Sequence, residues 1–175
     1  MGQTIVSRAD HDFGDFVAAR ATSLLRVAYL ACGDRAEAED LLQSALERTY
    51  RNWERVRHDT VEAYVRRTIV NTAISRARRR AILRIVPARA LPERPTRPAD
   101  VDLRHVLMDA LRGLPPRQRA VVVLRYWEDL TEAQTAEALG CAVGTVKSQA
   151  SKALAKLRTA LGETSVEGVI GNARI

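Results

Sequence analysis

Apolar side chains recur every three or four residues along most of the chain, and no stretch alternates between apolar and polar positions as a strand does. A first stripe predicts a helix that ends at Gly33, because glycine tolerates the left-handed conformation of a helix stop. Asp34 and Glu37 have the spacing of a capping pair for a second helix, which extends to about Tyr50. The two stripes consist of Phe13, Phe16, Val17, Leu24, Val27, Ala28 and Ala31, then Leu41, Leu42, Ala45, Leu46 and Tyr50.

A third helix is predicted from about Val61 to Arg80, and Asp59 with Glu62 repeats the capping spacing at its start. Its candidate core positions are Ala63, Val65, Ile69, Ala73 and Ile74. Prolines and arginines then dominate residues 85–100, and proline interrupts helices because it lacks the donor N–H. We therefore expect an all-α protein of two small helical domains joined by a Pro/Arg-rich linker. Its predicted divisions are a first domain over 1–84, a linker over 85–100, a second domain over 101–162 and a tail over 163–175.

The second half carries the signals of a helix-turn-helix. A helix over about Val101–Leu111 is followed by Pro115 and Pro116, which suit the first turn of the next helix. Thr131 and Gln134 form a further capping pair, and the short helix they open stops at Gly140. A final helix runs from about Val143 to Leu161 and begins with small polar and basic residues. Such a start suits insertion into the major groove of DNA. The outward-facing candidates are Thr145, Lys147, Ser148, Gln149, Ser151 and Lys152.

Charge is distributed unevenly along the chain, whose formal net charge is +7. No acidic residue occurs between Ala63 and Pro92 or between Ala138 and Gly162, whereas eight occur from Asp34 to Glu62. Two basic segments favour two contacts with phosphate, and the acidic segment favours a partner of another kind.

Little in the sequence points to catalysis or to a bound group. Cys32 and Cys141 lie in different halves without a neighbouring cysteine, so neither a disulfide framework nor a zinc site is expected. The three histidines are scattered, and no catalytic triad order or phosphate-binding loop is present. We predict a protein that is not an enzyme, needs no cofactor or metal and acts in the cytoplasm. No apolar run reaches membrane-spanning length and no signal peptide is apparent, so membrane insertion is not expected.

Residues 114–158 resemble the C-terminal domain of sigma factors, chiefly through LPPRQR at 114–119 and GTVKS at 144–148. The resemblance implies that the outward-facing residues of the final helix read the minus-thirty-five promoter element and that Thr131 touches a phosphate. Ala142, Glu132 and Thr135 depart from the residues that the family often has there. LuxR-type regulators carry a similar helix-turn-helix, so this half alone leaves an operator-binding regulator open.

The first half separates these alternatives. Residues 33–56, with AEDLLQ at their centre, resemble the polymerase-binding helix of sigma factors, and residues 62–80 resemble the helix that reads the minus-ten element. The resemblance implies polymerase contacts by Asp40, Leu41, Gln43 and Glu47. It implies minus-ten contacts by Val56, Arg57, His58, Asp59, Thr60, Arg67, Asn71, Arg78 and Arg79. Ser75 departs from the aspartate that is frequent at its position.

Taken together, residues 12–160 resemble the extracytoplasmic-function sigma factors of the sigma-70 family, in their SigE-like actinobacterial branch. The two domains would then be sigma region 2 and sigma region 4, without the family's third domain. The implied partners are core RNA polymerase, at its clamp and flap regions, and promoter DNA. Small members of the class are often held inactive by an anti-sigma factor, which is a further candidate partner. The alternatives are a LuxR-like operator-binding regulator and a nonspecific RNA-binding module, neither of which would bind core polymerase.

Overall fold

The structure is a computed structural model that describes residues 8–55, 60–83 and 103–161, and the described residues are helical with no strand. They form seven α-helices, a 3₁₀ turn at Trp53–Arg55 and a π-helical segment at Val123–Trp127. The α-helices are α1 (Arg8–Cys32), α2 (Arg35–Arg51), α3 (Val61–Leu83), α4 (Leu103–Arg112), α5 (Pro116–Val122), α6 (Glu132–Leu139) and α7 (Val143–Leu161). The predicted linker and tail lie outside the described residues. The all-α class is confirmed.

The turn between α1 and α2 forms as the sequence predicts, with one change of partner. Gly33 has a φ of +83°, and Asp34 Oδ1 accepts the Glu37 backbone N–H at 2.8 Å. The Glu37 carboxylate does not close the predicted capping pair. It accepts a hydrogen bond from Arg80 Nη1 at 2.7 Å instead, which ties the start of α2 to the end of α3.

Helices α1, α2 and α3 pack against one another around a core of leucine, valine, isoleucine and alanine. Leu24, Leu41 and Ile69 are its largest fully buried side chains. The prediction that Ala63 belongs to this core is wrong, since Ala63 is exposed. Val61 and Val70 are buried on the core face of α3, so its apolar stripe begins two residues earlier than predicted.

In the second half, Pro116 occupies the first turn of α5, as predicted. The residues of α5 and of the π-helical segment from Ala120 to Leu124 are buried almost completely, together with Leu111 and Leu157. The two halves do not have separate cores: one continuous cluster of buried side chains includes Leu24 and Ile69 of the first half and Leu124 and Leu157 of the second. Sharing a core compensates for the small apolar area that each half could bury alone.

Replacing Gly33 by alanine should lower the free energy of unfolding by about 1–3 kcal/mol, because a non-glycine residue is strained at positive φ. A Cβ there would also lie 2.8 Å from Cγ of Arg112. The matched control is Gly14→Ala. Gly14 lies inside α1 with open space around its Cβ position, so the alanine should stabilise by about 0.5–1 kcal/mol. Urea unfolding followed by circular dichroism measures both changes, and equal effects of the two variants would contradict the special role of Gly33.

Candidate nucleic-acid interface

The helix-turn-helix consists of α6 and α7. Thr131 Oγ1 accepts the Gln134 backbone N–H at 3.2 Å, and the Gln134 side chain accepts the Thr131 N–H at 2.8 Å, so the predicted capping pair is a complete capping box. Gly140 ends α6 with a φ of 60°. Val146 of α7 packs on Ala136 of α6 and on Val121, which fixes the crossing of the two helices.

The start of α7 presents a polar and basic surface. Lys147, Ser148, Ser151 and Lys152 are exposed, whereas Thr145 and Gln149 are half-buried. Lys147 Nζ lies 3.6 Å from a carboxylate oxygen of Glu132, an exposed ion pair of small energetic value that a phosphate could replace.

The turn before α7 has no polar capping side chain. Ala142 stands there, and its carbonyl accepts the backbone N–H groups of Thr145 and Val146. Because alanine has no side-chain acceptor, position 142 supplies no side-chain cap to the first turn of α7, which suits an anionic ligand.

A second polar surface is a groove of about 590 Å³ between α2 and α3, here called the basic groove. It is lined by Ser44, Arg48, Tyr64, Arg67, Thr68, Asn71, Thr72, Ser75, Arg76 and Arg79. Of the predicted minus-ten residues, Arg67, Asn71 and Arg79 meet here, while Arg78 is exposed outside the lining and Thr60 is exposed at the start of α3. Val56, Arg57, His58 and Asp59 lie outside the described residues.

Several of the lining residues were not predicted from the sequence as part of this site. Arg48 and Tyr64 stand on α2 and α3 outside the resemblance-based assignments, yet both border the basic groove. Arg48 lies in a helix that is rich in acidic residues, so its neighbours in sequence do not suggest that it borders a basic surface. The signal in the sequence was Tyr64 itself, which lies close to Arg67 and is exposed in the structure. An aromatic ring can stack on a base of a single strand while neighbouring cations neutralise its phosphates.

A third surface is an apolar groove of about 400 Å³ between α1 and α2. Its apolar lining comes from Phe13, Leu25, Leu42, Leu46 and Tyr50, and its polar rim comes from Glu39, Gln43 and Glu47. Gln43 Nε2 donates to Glu47 Oε1 at 3.2 Å, so the two predicted polymerase-binding side chains share one ridge.

The prediction for Leu41 needs correction. Leu41 is only 1% exposed and belongs to the core, because its side of α2 faces α1 and α3. Leu46 provides the accessible apolar surface instead. Asp40 is exposed but does not line the groove.

Aromatic packing fixes one wall of the apolar groove. The Phe13 ring lies 5.0 Å from the Tyr50 ring and 5.1 Å from the Trp53 ring. Tyr50 Oη donates to the Asp10 carboxylate, and this hydrogen bond to a carboxylate raises the pKa of Tyr50. The same hydrogen bond joins the start of α1 to the end of α2.

Two features are absent from the described part of the chain. No group of three His, Cys, Asp or Glu side chains within it could hold a metal ion. None of its helices combines the length and apolarity that crossing a bilayer requires.

Comparison with known proteins identifies both halves. Residues 16–82 match the family description "Sigma-70 region 2" and residues 104–157 match "Sigma-70, region 4". The RNA polymerase sigma-E factor of Streptomyces coelicolor is 44% identical over 153 residues, which cover 86% of each chain. The ECF RNA polymerase sigma factor SigM of Mycobacterium tuberculosis is 34% identical over 140 residues, covering 79% of this chain and 71% of the relative.

A solved structure has the same fold. The sigma factor RpoE of Bartonella quintana, crystallised with the anti-sigma factor NepR, aligns with a TM-score of 0.69 at 24% identity. The alignment covers 87% of this chain and 98% of that one.

These matches define the class, because the chain contains sigma-70 regions 2 and 4 within a single continuous fold. The chain belongs to the extracytoplasmic-function sigma factors of the sigma-70 family, as its sequence resemblance predicted, and it directs transcription initiation. The sigma-E factors of Streptomyces are among its relatives at 42–44% identity, which agrees with the SigE-like assignment.

The unusual Thr135 of the helix-turn-helix generates a stability prediction. Its side chain is completely buried and its hydroxyl has no hydrogen-bond partner. Thr135→Val keeps the shape and removes the unsatisfied group, so the free energy of unfolding should rise by about 1–2 kcal/mol.

Thr159→Val is the control for this change, because Thr159 is exposed and its hydroxyl donates to Ala155 O at 3.1 Å. Its replacement should alter the free energy of unfolding by less than about 0.5 kcal/mol. Urea unfolding measures both variants. A Thr135→Val protein that is less stable than wild type would mean that the buried hydroxyl has a partner after all.

Proposed function

We propose that this sigma factor reads a promoter at two separate places and binds core RNA polymerase through a third surface. The start of α7 reads the minus-thirty-five element, the basic groove holds the melted minus-ten strand, and the apolar groove docks on the polymerase. The observation that carries the proposal is that three surfaces of distinct chemistry are present, each on the sigma region that its task requires.

The exposed polar and basic start of α7 supports the proposed minus-thirty-five recognition. The exposed Lys147 and Lys152 pair with phosphates. The exposed Ser148 and Ser151 have short side chains, which let the helix come close to the bases, and their hydroxyls can bond base edges. Thr145 and Gln149 lie nearer the body of the domain and complete the proposed surface. Thr131, exposed at the start of α6, is the proposed phosphate contact beside it.

The cations and the aromatic ring of the basic groove support the proposed minus-ten recognition. Arg67, Arg76 and Arg79 supply the cations for a single-strand backbone, and Tyr64 offers a ring for base stacking. Asn71 is the proposed base-reading side chain, since an amide can bond both a donor and an acceptor of one base. Arg78, Thr60 and residues 56–59 complete the proposed minus-ten set, the last as a pocket for a flipped base.

The apolar groove and its acidic and amide rim support the proposed docking surface for polymerase. Leu46 would enter the interface, and Gln43 and Glu47 would pair with polar and basic side chains of the clamp. Asp40 extends the same acidic helix and is a candidate at the edge of the interface. A flap contact by region 4 completes the proposed polymerase binding.

Regulation and location complete the proposal. The RpoE relative was crystallised with an anti-sigma factor, and a protein of that kind is a candidate partner here. The chain acts in the cytoplasm beside polymerase, without a cofactor and without catalysing a reaction itself. The relatives described above are named as sigma factors, which supports this and favours no operator-binding role independent of polymerase.

The experiment that tests the proposal is transcription from a pool of genomic promoters by core polymerase with and without the protein, with sequencing of the transcript starts. Protein-dependent starts that share two upstream motifs at fixed spacing are expected. Starts that share only one motif would overturn the two-element proposal, and failure to co-elute with core polymerase would overturn the docking proposal.

Leu46→Glu should weaken binding to core polymerase at least tenfold, because a carboxylate would replace apolar surface at the centre of the apolar groove. Ala36→Glu is the control, since Ala36 is exposed in the first turn of α2 and does not line the groove. Fluorescence anisotropy of the labelled protein measures the affinity, after circular dichroism has shown that both variants keep their helices. Equal affinities for the two variants would move the docking surface elsewhere.

Lys147→Ala should reduce the salt dependence of binding to duplex DNA carrying the minus-thirty-five motif found by start mapping. Loss of one phosphate contact lowers the slope of log K against log salt by about 0.9. Lys156→Ala removes an exposed lysine from the C-terminal half of α7 and should leave the slope unchanged. If Lys156→Ala lowers the slope and Lys147→Ala does not, the DNA-facing end of α7 has been misassigned.

A further inference from the structure

The basic groove has two walls, and each belongs to a different helix. Helix α3 supplies Arg67, Arg76 and Arg79 to one wall, while α2 supplies Ser44 and Arg48 to the other. Among the described residues, the lining thus includes four arginines and no carboxylate. Like charges around one groove, without a carboxylate between them, favour an anionic ligand. A nucleic-acid strand that enters the groove would therefore meet cations on both sides.

The Arg48 side chain is free to bind such a ligand. Arg35, in the first turn of the same helix, forms an ion pair with Glu39 at 3.0 Å. Arg48 is exposed and takes part in none of the ion pairs formed within the described residues. A guanidinium has donors in a fixed fork that can bond two oxygens of one phosphate. Binding a phosphate would therefore cost Arg48 no existing ion pair.

Ser44 adds a hydroxyl donor to the same wall. It lies four residues before Arg48, so the two side chains are neighbours on one face of α2. On the opposite wall, Thr68 and Ser75 donate their hydroxyl protons to carbonyls of their own helix at 2.9 and 2.8 Å. Within the part of the chain that the structure describes, the Ser44 hydroxyl donates to no acceptor. It can therefore donate to a phosphate oxygen that Arg48 also bonds.

Helix α2 presents this pair on the side away from the proposed docking surface. Leu46 lines the apolar groove, and Arg48, two residues later, lines the basic groove. Two residues of an α-helix correspond to about 200° of rotation around its axis. A polymerase docked on the Leu46 side would therefore leave Arg48 accessible to a strand on the other side.

We propose that Arg48, together with Ser44, forms a phosphate-binding site on α2 that holds the backbone of the melted minus-ten strand. Tyr64 and the arginines of α3 contact the same strand from the opposite wall of the basic groove. Helix α2 thus binds polymerase with one side and promoter DNA with the other. The inference rests on the proposed function, because it assigns a further contact to the strand that the basic groove is proposed to hold.

The experiment uses the holoenzyme formed with core polymerase. The probe is a promoter fragment from the start mapping, duplex at minus thirty-five and single-stranded, with the non-template strand only, at minus ten. Arg48→Ala should weaken binding of this probe about threefold to tenfold, because one charge-assisted phosphate contact is lost. The slope of log K against log salt should fall by about 0.7. Affinity for core polymerase, measured by anisotropy of the labelled protein, should stay at the wild-type value.

Two further variants control for charge and for side-chain chemistry. Arg51→Ala removes an exposed arginine of α2 that lines neither groove, and it should change probe affinity less than about twofold. Arg48→Lys keeps the cation and should retain most of the affinity. Equal losses for Arg48→Ala and Arg51→Ala would show a general effect of net charge and would overturn the phosphate site.

Neutral phosphates identify the contact directly. In a set of probes, one phosphate at a time in the minus-ten strand is replaced by an uncharged methylphosphonate. Wild-type holoenzyme should lose affinity at each contacted position. Arg48→Ala and Ser44→Ala should show a smaller loss than wild type at one and the same position. Losses that match wild type at every position for Arg48→Ala would overturn the inference.

Arg67→Ala separates failure of the inference from failure of the proposed function. If Arg67→Ala weakens probe binding and Arg48→Ala does not, the basic groove keeps its proposed role and the α2 site is overturned. If neither variant weakens binding, the proposed role of the groove fails as well. Weaker binding of Arg48→Ala to core polymerase would assign Arg48 to docking and overturn its phosphate contact. Circular dichroism establishes that each variant keeps its helices.

Discussion

The end of α1 is the point on which the arrangement of this molecule depends. Helix α1 packs against α2 and α3 in its own region and against α4, α5 and the π-helical segment in the other. Its last carbonyls need donors, and they receive them from arginines that lie far away in sequence. Each region alone would bury little apolar surface. The arginine hydrogen bonds lie beside one continuous hydrophobic core to which both regions contribute side chains.

The sequence predicted the elements better than their contacts. Periodicity, capping spacings and turn residues located the seven α-helices of the described part, because these signals are local, but they predicted neither the 3₁₀ turn at Trp53–Arg55 nor the π-helical form of Val123–Trp127. The capping box of Thr131 and Gln134 was confirmed in both directions. Two predictions failed because tertiary packing, which local sequence signals do not report, decided the outcome. The Glu37 side chain pairs with Arg80 and not with the start of its own helix, and the Leu41 side chain is buried in the core.

In the candidate sites, too, individual residues were predicted better than the contacts between them. The resemblance named residues that do meet in the structure, such as Arg67, Asn71 and Arg79 in the basic groove. It did not name Arg48 and Tyr64, which reach the groove only because α2 and α3 lie side by side. Nor could spacing reveal that Asn71 would bond a carbonyl of the other region, a contact between residues 67 positions apart. The sequence therefore indicates which side chains take part in a site, whereas only the folded structure shows which side chains lie next to one another.

The π-helical segment sets the direction in which the Glu128 side chain points. The Glu128 N–H bonds the carbonyl of Val123, five residues back, at 3.0 Å, so this turn holds one residue more than an α-helical turn would. One residue corresponds to about 100° of rotation around a helix axis. The extra residue thus places the Glu128 carboxylate on the side of the turn where it forms an ion pair with Arg66 of α3. Deleting one residue from Val123–Trp127 would turn that carboxylate to another face of the helix and leave the Arg66 guanidinium without its partner from the second half.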